Sequence, residues 1–149
     1  MAKEGDQVLN LRRFDVKSMQ RDRVCIFIGK RGTGKTTLVA DILYQLRRTP
    51  VACVMSGTEE SNSFYSSIVP PSFIHNGFNL ETFESFINAQ KRVARKAREG
   101  TFEGDPRSII LLDDCIYDKG IMRKTAMREL FFNGRHWNTM LLLTMHRKP

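Results

Sequence analysis

The chain has 149 residues, 41% of them apolar and 27% charged, with a formal net charge of +8. That length supports one domain with an apolar core and is too short for two, and the composition excludes a disordered or fibrous class. The basic balance favours polyanionic partners such as nucleic acid, anionic membrane or nucleotide.

The three cysteines, Cys25, Cys53 and Cys115, are widely spaced and form no CxxC pair. Together with histidines that lack metal-ligand spacing, they argue against a disulfide framework and a zinc site, and they read as small core residues of a reducing compartment. No apolar run approaches the ~20 residues of a membrane-spanning helix. The amino-terminal stretch has no signal-type apolar segment, so nothing in the sequence directs the chain out of the cytosol.

In chain order, "VLNLRRFDV" (8–16) predicts an edge strand. "RVCIFIG" (23–29) is a short apolar run that ends at glycine, as a strand buried on both faces does. "TTLVADILYQLRR" (36–48) repeats Leu38, Val39, Ile42, Leu43 and Leu46 at helical spacing, with Arg47, Arg48 and Pro50 marking its end. "VACVMSG" (51–57) predicts a second buried strand, and residues 58–73, broken by Pro70 and Pro71, a loop. A long helix over 80–100 closes at Gly100, followed by a loop over 101–107. "SIILLDDC" (108–115) predicts a third strand, "KTAMRELFFNG" (124–134) a helix stopped by Asn133 and Gly134, and "TMLLLTMH" (139–146) a fourth strand. Strands alternating with helices predict an α/β domain with a mainly parallel sheet.

Between the first strand and the first helix, Gly29, Gly34, Lys35 and Thr36 satisfy G-x-x-x-x-G-K-[ST], the P-loop or Walker A pattern. Each residue type has a mechanical reason. Gly32 and Gly34 let the backbone turn so that successive N–H groups face phosphate oxygens, and the helix N-terminus adds partial positive charge. Lys35 is expected at the β- and γ-phosphates of ATP and the Thr36 hydroxyl on Mg²⁺. Nucleotide binding is thus expected over Gly29, Lys30, Arg31, Gly32, Thr33, Gly34, Lys35, Thr36 and Thr37. Of these, Lys30 and Arg31 face solvent, nucleotide or a neighbouring subunit, and Thr37 packs or caps.

Four aliphatic residues followed by Asp113 and Asp114 form a Walker B strand, its carboxylates emerging where open α/β sheets bind ligands. Asp113 is expected to hold Mg²⁺ through water, and Asp114 to orient or deprotonate the attacking water. Paired acids favour hydrolysis over transfer to a small acceptor. At the end of the fourth strand, His146 is either a γ-phosphate sensor or a solvated residue near the chain end. No NKxD-type base-reading segment points to GTP.

With these pieces placed, "RVCIFIGKRGTGKTTLVADIL", "MSGTEESNSFY", "ILLDDCIYD" and "ELFFNGRHWNTMLLLTM" resemble the poxvirus-type genome-packaging ATPases of large nucleocytoplasmic DNA viruses, within the FtsK/HerA group. The resemblance runs over roughly residues 8 to 146. It implies a three-layer RecA/FtsK-like P-loop domain over 1–149, and an extra strand between the phosphate-loop strand and the aspartate strand. It also implies a homo-oligomeric ring that hydrolyses ATP to drive double-stranded DNA into a capsid. Such a protein works in the host cell cytoplasm or virus factory, or on the virion.

In such rings an arginine from the neighbouring subunit completes the site; Arg135 is the first candidate and Arg123 the second. Family members usually carry glutamine where this chain has His146. They also usually continue past this strand, so a fragment, a truncated paralogue or a form needing a partner is expected here, with an exposed sheet edge at the phosphate-loop strand. The basic segment "KRVARKAR" (91–98) is either a DNA-backbone contact or a solvated helix face. The rival functions are a small-molecule phosphotransferase and an inactive nucleotide-binding or interaction subunit.

Overall fold

The computed structural model describes residues 10–58, 63–116 and 119–146. The elements are β1 (Val24–Gly29), α1 (Lys35–Gln45), β2 (Val51–Ser56), β3 (Ile74–Asn76), α2 (Leu80–Arg98), β4 (Ser108–Asp113), α3 (Lys119–Arg123), α4 (Thr125–Asn133) and β5 (Thr139–His146). Short 3₁₀ turns occupy Val16–Ser18, Tyr65–Ser67, Pro71–Phe73 and Gly134–Trp137.

The strands form one parallel sheet in the order β1-β5-β4-β2-β3. Strand β5 therefore lies between the glycine-loop strand and the aspartate strand, where the resemblance placed it. The central strands β4 and β5 are apolar runs because both of their faces are covered. On one face Val39, Ile42 and Leu43 of α1 and Leu46, which caps its end, pack on Val54, Leu111 and Leu142. On the other, Phe83 and Ile87 of α2 and Met127 and Leu130 of α4 pack on Met55, Ile110, Leu112 and Leu143. The result is a helix–sheet–helix sandwich, the three-layer α/β architecture expected.

Cys53 and Cys115 lie in this core as free thiols, and burial pushes both up to about 12, so they stay protonated. Cys25 is a partly buried free thiol.

Among the described residues, β1 is one of the two edge strands of the sheet, β3 being the other. Its residues alternate, with Cys25 and Phe27 turned towards the α1-side core and Val24, Ile26 and Ile28 exposed. The expected edge strand over 8–16 is not formed: Val8 and Leu9 lie outside the described residues, and 10–15 take no strand partner. The segment instead turns at Val16–Ser18, with Asp15 accepting from the Lys17 amide. Val16 is buried beside α1, while Leu11 and Phe14 stay exposed. An alternating pattern without a neighbouring strand to bond has no ladder to join.

Candidate functional site

All five strands point their carboxyl ends the same way, so the loops that follow them converge at one end of the sheet. There the glycine-rich loop leaves β1 and turns into α1. Gly32 and Gly34 have φ of 75° and 85°, a left-handed backbone that favours glycine. A Cβ at Gly29 would stand 2.7 Å from the Thr33 hydroxyl, so a side chain there would have to shift Thr33, whose hydroxyl donates to the Lys30 carbonyl. Gly34 caps α1 without a side-chain hydrogen bond, leaving the first-turn amides free to face an anion.

The Lys35 ammonium is folded back over this loop. It donates to the carbonyls of Gly29 (3.1 Å) and Lys30 (3.0 Å), and to His146 Nδ1 (3.3 Å). An ammonium only donates, so Nδ1 accepts and the imidazole proton sits on Nε2. Nε2–H donates to Asp114 Oδ2 at 2.7 Å. Lys35, His146 and Asp114 thus form one hydrogen-bonded row. Its origin is the β1–β5 register, which sets His146 opposite Gly29.

The two aspartates leave the end of β4 differently. Asp113 is 1% exposed, and its carboxylate accepts from Thr144 Oγ1 (2.6 Å) and Tyr65 Oη (2.7 Å). Asp114 has φ 51°, a left-handed backbone uncommon for a side-chain-bearing residue, and its amide donates to Thr144 Oγ1. The turn swings its side chain to His146. Oδ1 of Asp114 is buried and has no hydrogen-bond partner among the described residues. A buried acceptor without a donor costs about 1–3 kcal/mol, so this oxygen is a natural seat for water or another donor.

A cavity of about 650 Å³ gathers Arg31, Gly32, Thr33, Gly34, Lys35, Thr36, Thr37, Thr58, Asp114 and His146. Its size suits a small-molecule ligand. Nine of the expected site residues are therefore brought together. Thr37 is exposed and lines the cavity, instead of packing or capping as its position in the helix suggested. Lys30 contributes its carbonyl to the loop, accepting from Lys35 and Thr33, and its side chain is exposed. Asp113 sits behind the cavity and does not line it.

Among the described residues no three His, Cys, Asp or Glu side chains converge as a metal cage. Mg²⁺ asks for less, being bound through one or two carboxylates with water and substrate phosphates. Thr36 at the cavity and the carboxylate of Asp113 behind it are hard oxygen donors that fit this ion.

Arg135, expected to act in a neighbour's site, lies away from the cavity of its own chain. It lies in the turn just ahead of β5, and β5 runs the length of the sheet, about 25 Å, before reaching His146. Arg123 ends α3, which follows β4 at the cavity's end of the sheet, and is exposed.

Tyr65, Thr144 and Thr58 were not expected at the site. Thr144 was detectable as a hydroxyl in the aliphatic run "LLLTM". Nothing local marks Tyr65, which is buried 48 residues from its carboxylate partner. Tyr65→Phe should leave Asp113 Oδ2 short of a donor inside the fold and lower stability by about 1–2 kcal/mol, readable as a reduced urea midpoint at unchanged slope.

The poxvirus A32 protein family model matches residues 11–148. Over 121 residues the chain is 43% identical to the uncharacterized protein 075L of Invertebrate iridescent virus 6, covering 80% of this chain and 45% of that one. It is 32% identical over 139 residues to the uncharacterized protein L437 of Acanthamoeba polyphaga mimivirus, covering 91% and 49%. The chain thus spans about half the length of these relatives. Among solved structures, the genome packaging NTPase B204 of Sulfolobus turreted icosahedral virus 2, in complex with ATP-gammaS, superposes with a TM-score of 0.52 at 17% identity, over 87% of this chain and 66% of that one. That likeness is one of fold, and it agrees with the sheet order and flanking helices described above. The family match extends over nearly the whole chain and takes in the loop, the paired aspartates and His146: the chain belongs to the poxvirus A32 protein family.

Proposed function

We propose that the chain is the ATP-hydrolysing domain of a motor that moves double-stranded viral DNA into a capsid. Membership of the A32 family and the fold likeness to a genome packaging NTPase support the packaging part. The observation that carries hydrolysis is the single cavity in which the loop amides, Lys35 and Thr36 face the paired Asp114 and His146.

In this reading the loop and the α1 amides bind the phosphates, and Lys35 pairs with the β- and γ-phosphates. Thr36, and Asp113 through water, would hold Mg²⁺, with Tyr65 and Thr144 fixing the carboxylate. When bound, the ion neutralises charge on the β- and γ-oxygens. Asp114 orients the attacking water through Oδ1 and accepts its proton. His146 links Asp114 to Lys35, so the departure of Lys35 to a γ-phosphate is felt at the acid that handles water.

A ring of identical chains would add an arginine from a neighbour. Arg135 and then Arg123 are the candidates for that task. Duplex DNA and capsid components are the remaining partners of this reading, and the virus factory or virion its place of work. No described helix is long and apolar enough to cross a membrane.

Steady-state phosphate release by the purified chain, with and without duplex DNA, tests the proposal. Mg-ATP-dependent release that DNA stimulates is expected. Mg-ATP binding with no release under either condition would favour the inactive nucleotide-binding subunit. Transfer of the γ-phosphoryl to a nucleoside would favour the phosphotransferase.

A further inference from the structure

Among the described residues two permanent cations, Arg31 and Lys35, line the cavity, and only Lys35 is engaged. Its ammonium has three donors, and all are taken within the protein, by the carbonyls of Gly29 and Lys30 and by His146 Nδ1. Arg31 is exposed, and among the described residues its side chain has no hydrogen-bond acceptor and no carboxylate within ion-pair distance. Other exposed cations at this end of the sheet, Lys30, Arg123 and Lys124, do not line the cavity.

The loop fixes the point from which Arg31 projects. The peptide that joins it to Lys30 is held by its carbonyl, which accepts from the Thr33 hydroxyl at 2.8 Å and from the Lys35 ammonium at 3.0 Å. On its other side Gly32 turns the chain at φ 75°. The guanidinium therefore extends from an anchored backbone into a cavity that it shares with Asp114 and His146. Asp114 does not neutralise it: Oδ2 is taken by the His146 Nε2 hydrogen, and among the described residues His146 is the group within ion-pair distance of that carboxylate.

We propose that Arg31 is a second phosphate-binding residue of its own chain's site, its guanidinium taking the γ-phosphate of ATP through two parallel hydrogen bonds beside Lys35. This rests on the nucleotide-binding part of the function proposed above. It adds to an arginine from a neighbour and does not replace one. Of the three surroundings open to Arg31 in the sequence, it selects nucleotide over solvent and neighbour.

Two features select the terminal phosphate and this side chain. A water held at Asp114 can attack only a γ-phosphorus that lies within its reach, so a cation lining the space around Asp114 faces the γ-oxygens. A planar guanidinium presents paired N–H donors that match two oxygens of one phosphate. Lys35 must release an internal hydrogen bond before it can pair with phosphate. Arg31 can pair without breaking a bond inside the protein. ADP has no γ-phosphate, so this contact separates ATP from ADP.

The test is calorimetric titration of the purified chain with Mg-ADP and with the Mg complex of a non-hydrolysable ATP analogue. Arg31→Gln should weaken the analogue roughly tenfold or more and change Mg-ADP by less than about twofold. Arg31→Lys, which keeps the charge and loses the fork, should recover part of the analogue affinity. Single-turnover phosphate release at saturating Mg-ATP should fall by on the order of 10- to 100-fold in Arg31→Gln. The urea midpoint of both variants should match the parent's, because the exposed side chain has no partner in the described fold.

Equal analogue affinity in parent and Arg31→Gln would overturn the proposal while leaving the nucleotide site intact. An equal loss for analogue and Mg-ADP would put Arg31 on an inner phosphate and overturn the γ-phosphate assignment. Mixing Arg31→Gln with Asp114→Asn chains should restore no turnover, since no site in the mixture then holds both groups. Restored turnover would put Arg31 in a neighbour's site and overturn its same-chain role. A parent chain that binds neither nucleotide would overturn the nucleotide reading and this contact with it.

Discussion

Asp114→Asn is expected to leave Mg-ATP binding nearly unchanged and to lower single-turnover hydrolysis by on the order of 10²–10⁴-fold. The substitution keeps the shape of the side chain, so the strained turn at φ 51° and the hydrogen bond from His146 Nε2 can both be retained through the amide oxygen. What goes is the carboxylate charge and its basicity. In the parent one oxygen is taken by His146 and the other is buried with no donor among the described residues, so Oδ1 is the position from which a water would be held and deprotonated. Asp113 offers no substitute. Both of its oxygens already accept hydroxyl hydrogen bonds, from Thr144 and Tyr65, and it is set back from the cavity. Calorimetric Mg-ATP titration alongside single-turnover phosphate release separates binding from chemistry. Retention of the parent's single-turnover rate would remove Asp114 from the reaction and leave the cavity as a passive nucleotide site.

The parts of this molecule that could be read before folding are those whose signal is local. The cores of β1, β2, β4 and β5 are short aliphatic runs because both faces of the sheet are covered, and their limits fall within two residues of those expected. The glycine-rich loop carries its own geometry in its residue types: Gly32 and Gly34 stand where the backbone needs positive φ. Strand β3 escaped notice because three residues, Ile74–Asn76, are too few to show alternation, and α3 spans only five. The clasp on Asp113 escaped for a different reason. Tyr65 and Thr144 lie 48 and 31 residues away, and only the packing of the loop after β2 and the β4–β5 pairing brings them in. The place of Arg135 in its own chain was legible as well. A segment just ahead of a parallel strand lies at the end of the sheet opposite the strand's carboxyl terminus, whatever motif it contains.

Lys35→Ala is expected to weaken Mg-ATP binding by at least ~1.5 kcal/mol, tenfold or more, because the charge-assisted bonds to two phosphates are lost. In the structure the ammonium is satisfied by two loop carbonyls and the His146 ring nitrogen. Binding a triphosphate therefore trades existing hydrogen bonds for stronger, charged ones, and the measured loss on mutation is the difference between the two sets. One of the bonds given up is the link to His146, which in turn holds Asp114. Lys35 and His146 are consequently coupled. A double-mutant cycle on Mg-ATP affinity with Lys35→Ala and His146→Ala should give an interaction energy of at least ~0.5 kcal/mol, the lower end of values for residues in direct contact. The sign is fixed by the geometry. In the parent His146 competes with nucleotide for the ammonium, so its removal alone should tighten binding slightly, and on the Lys35→Ala background it should do nothing. Calorimetric titration of the four proteins measures this directly. Additive effects would mean that the Lys35–His146 contact carries no energy, and the proposed signal from γ-phosphate to Asp114 would lose its first step.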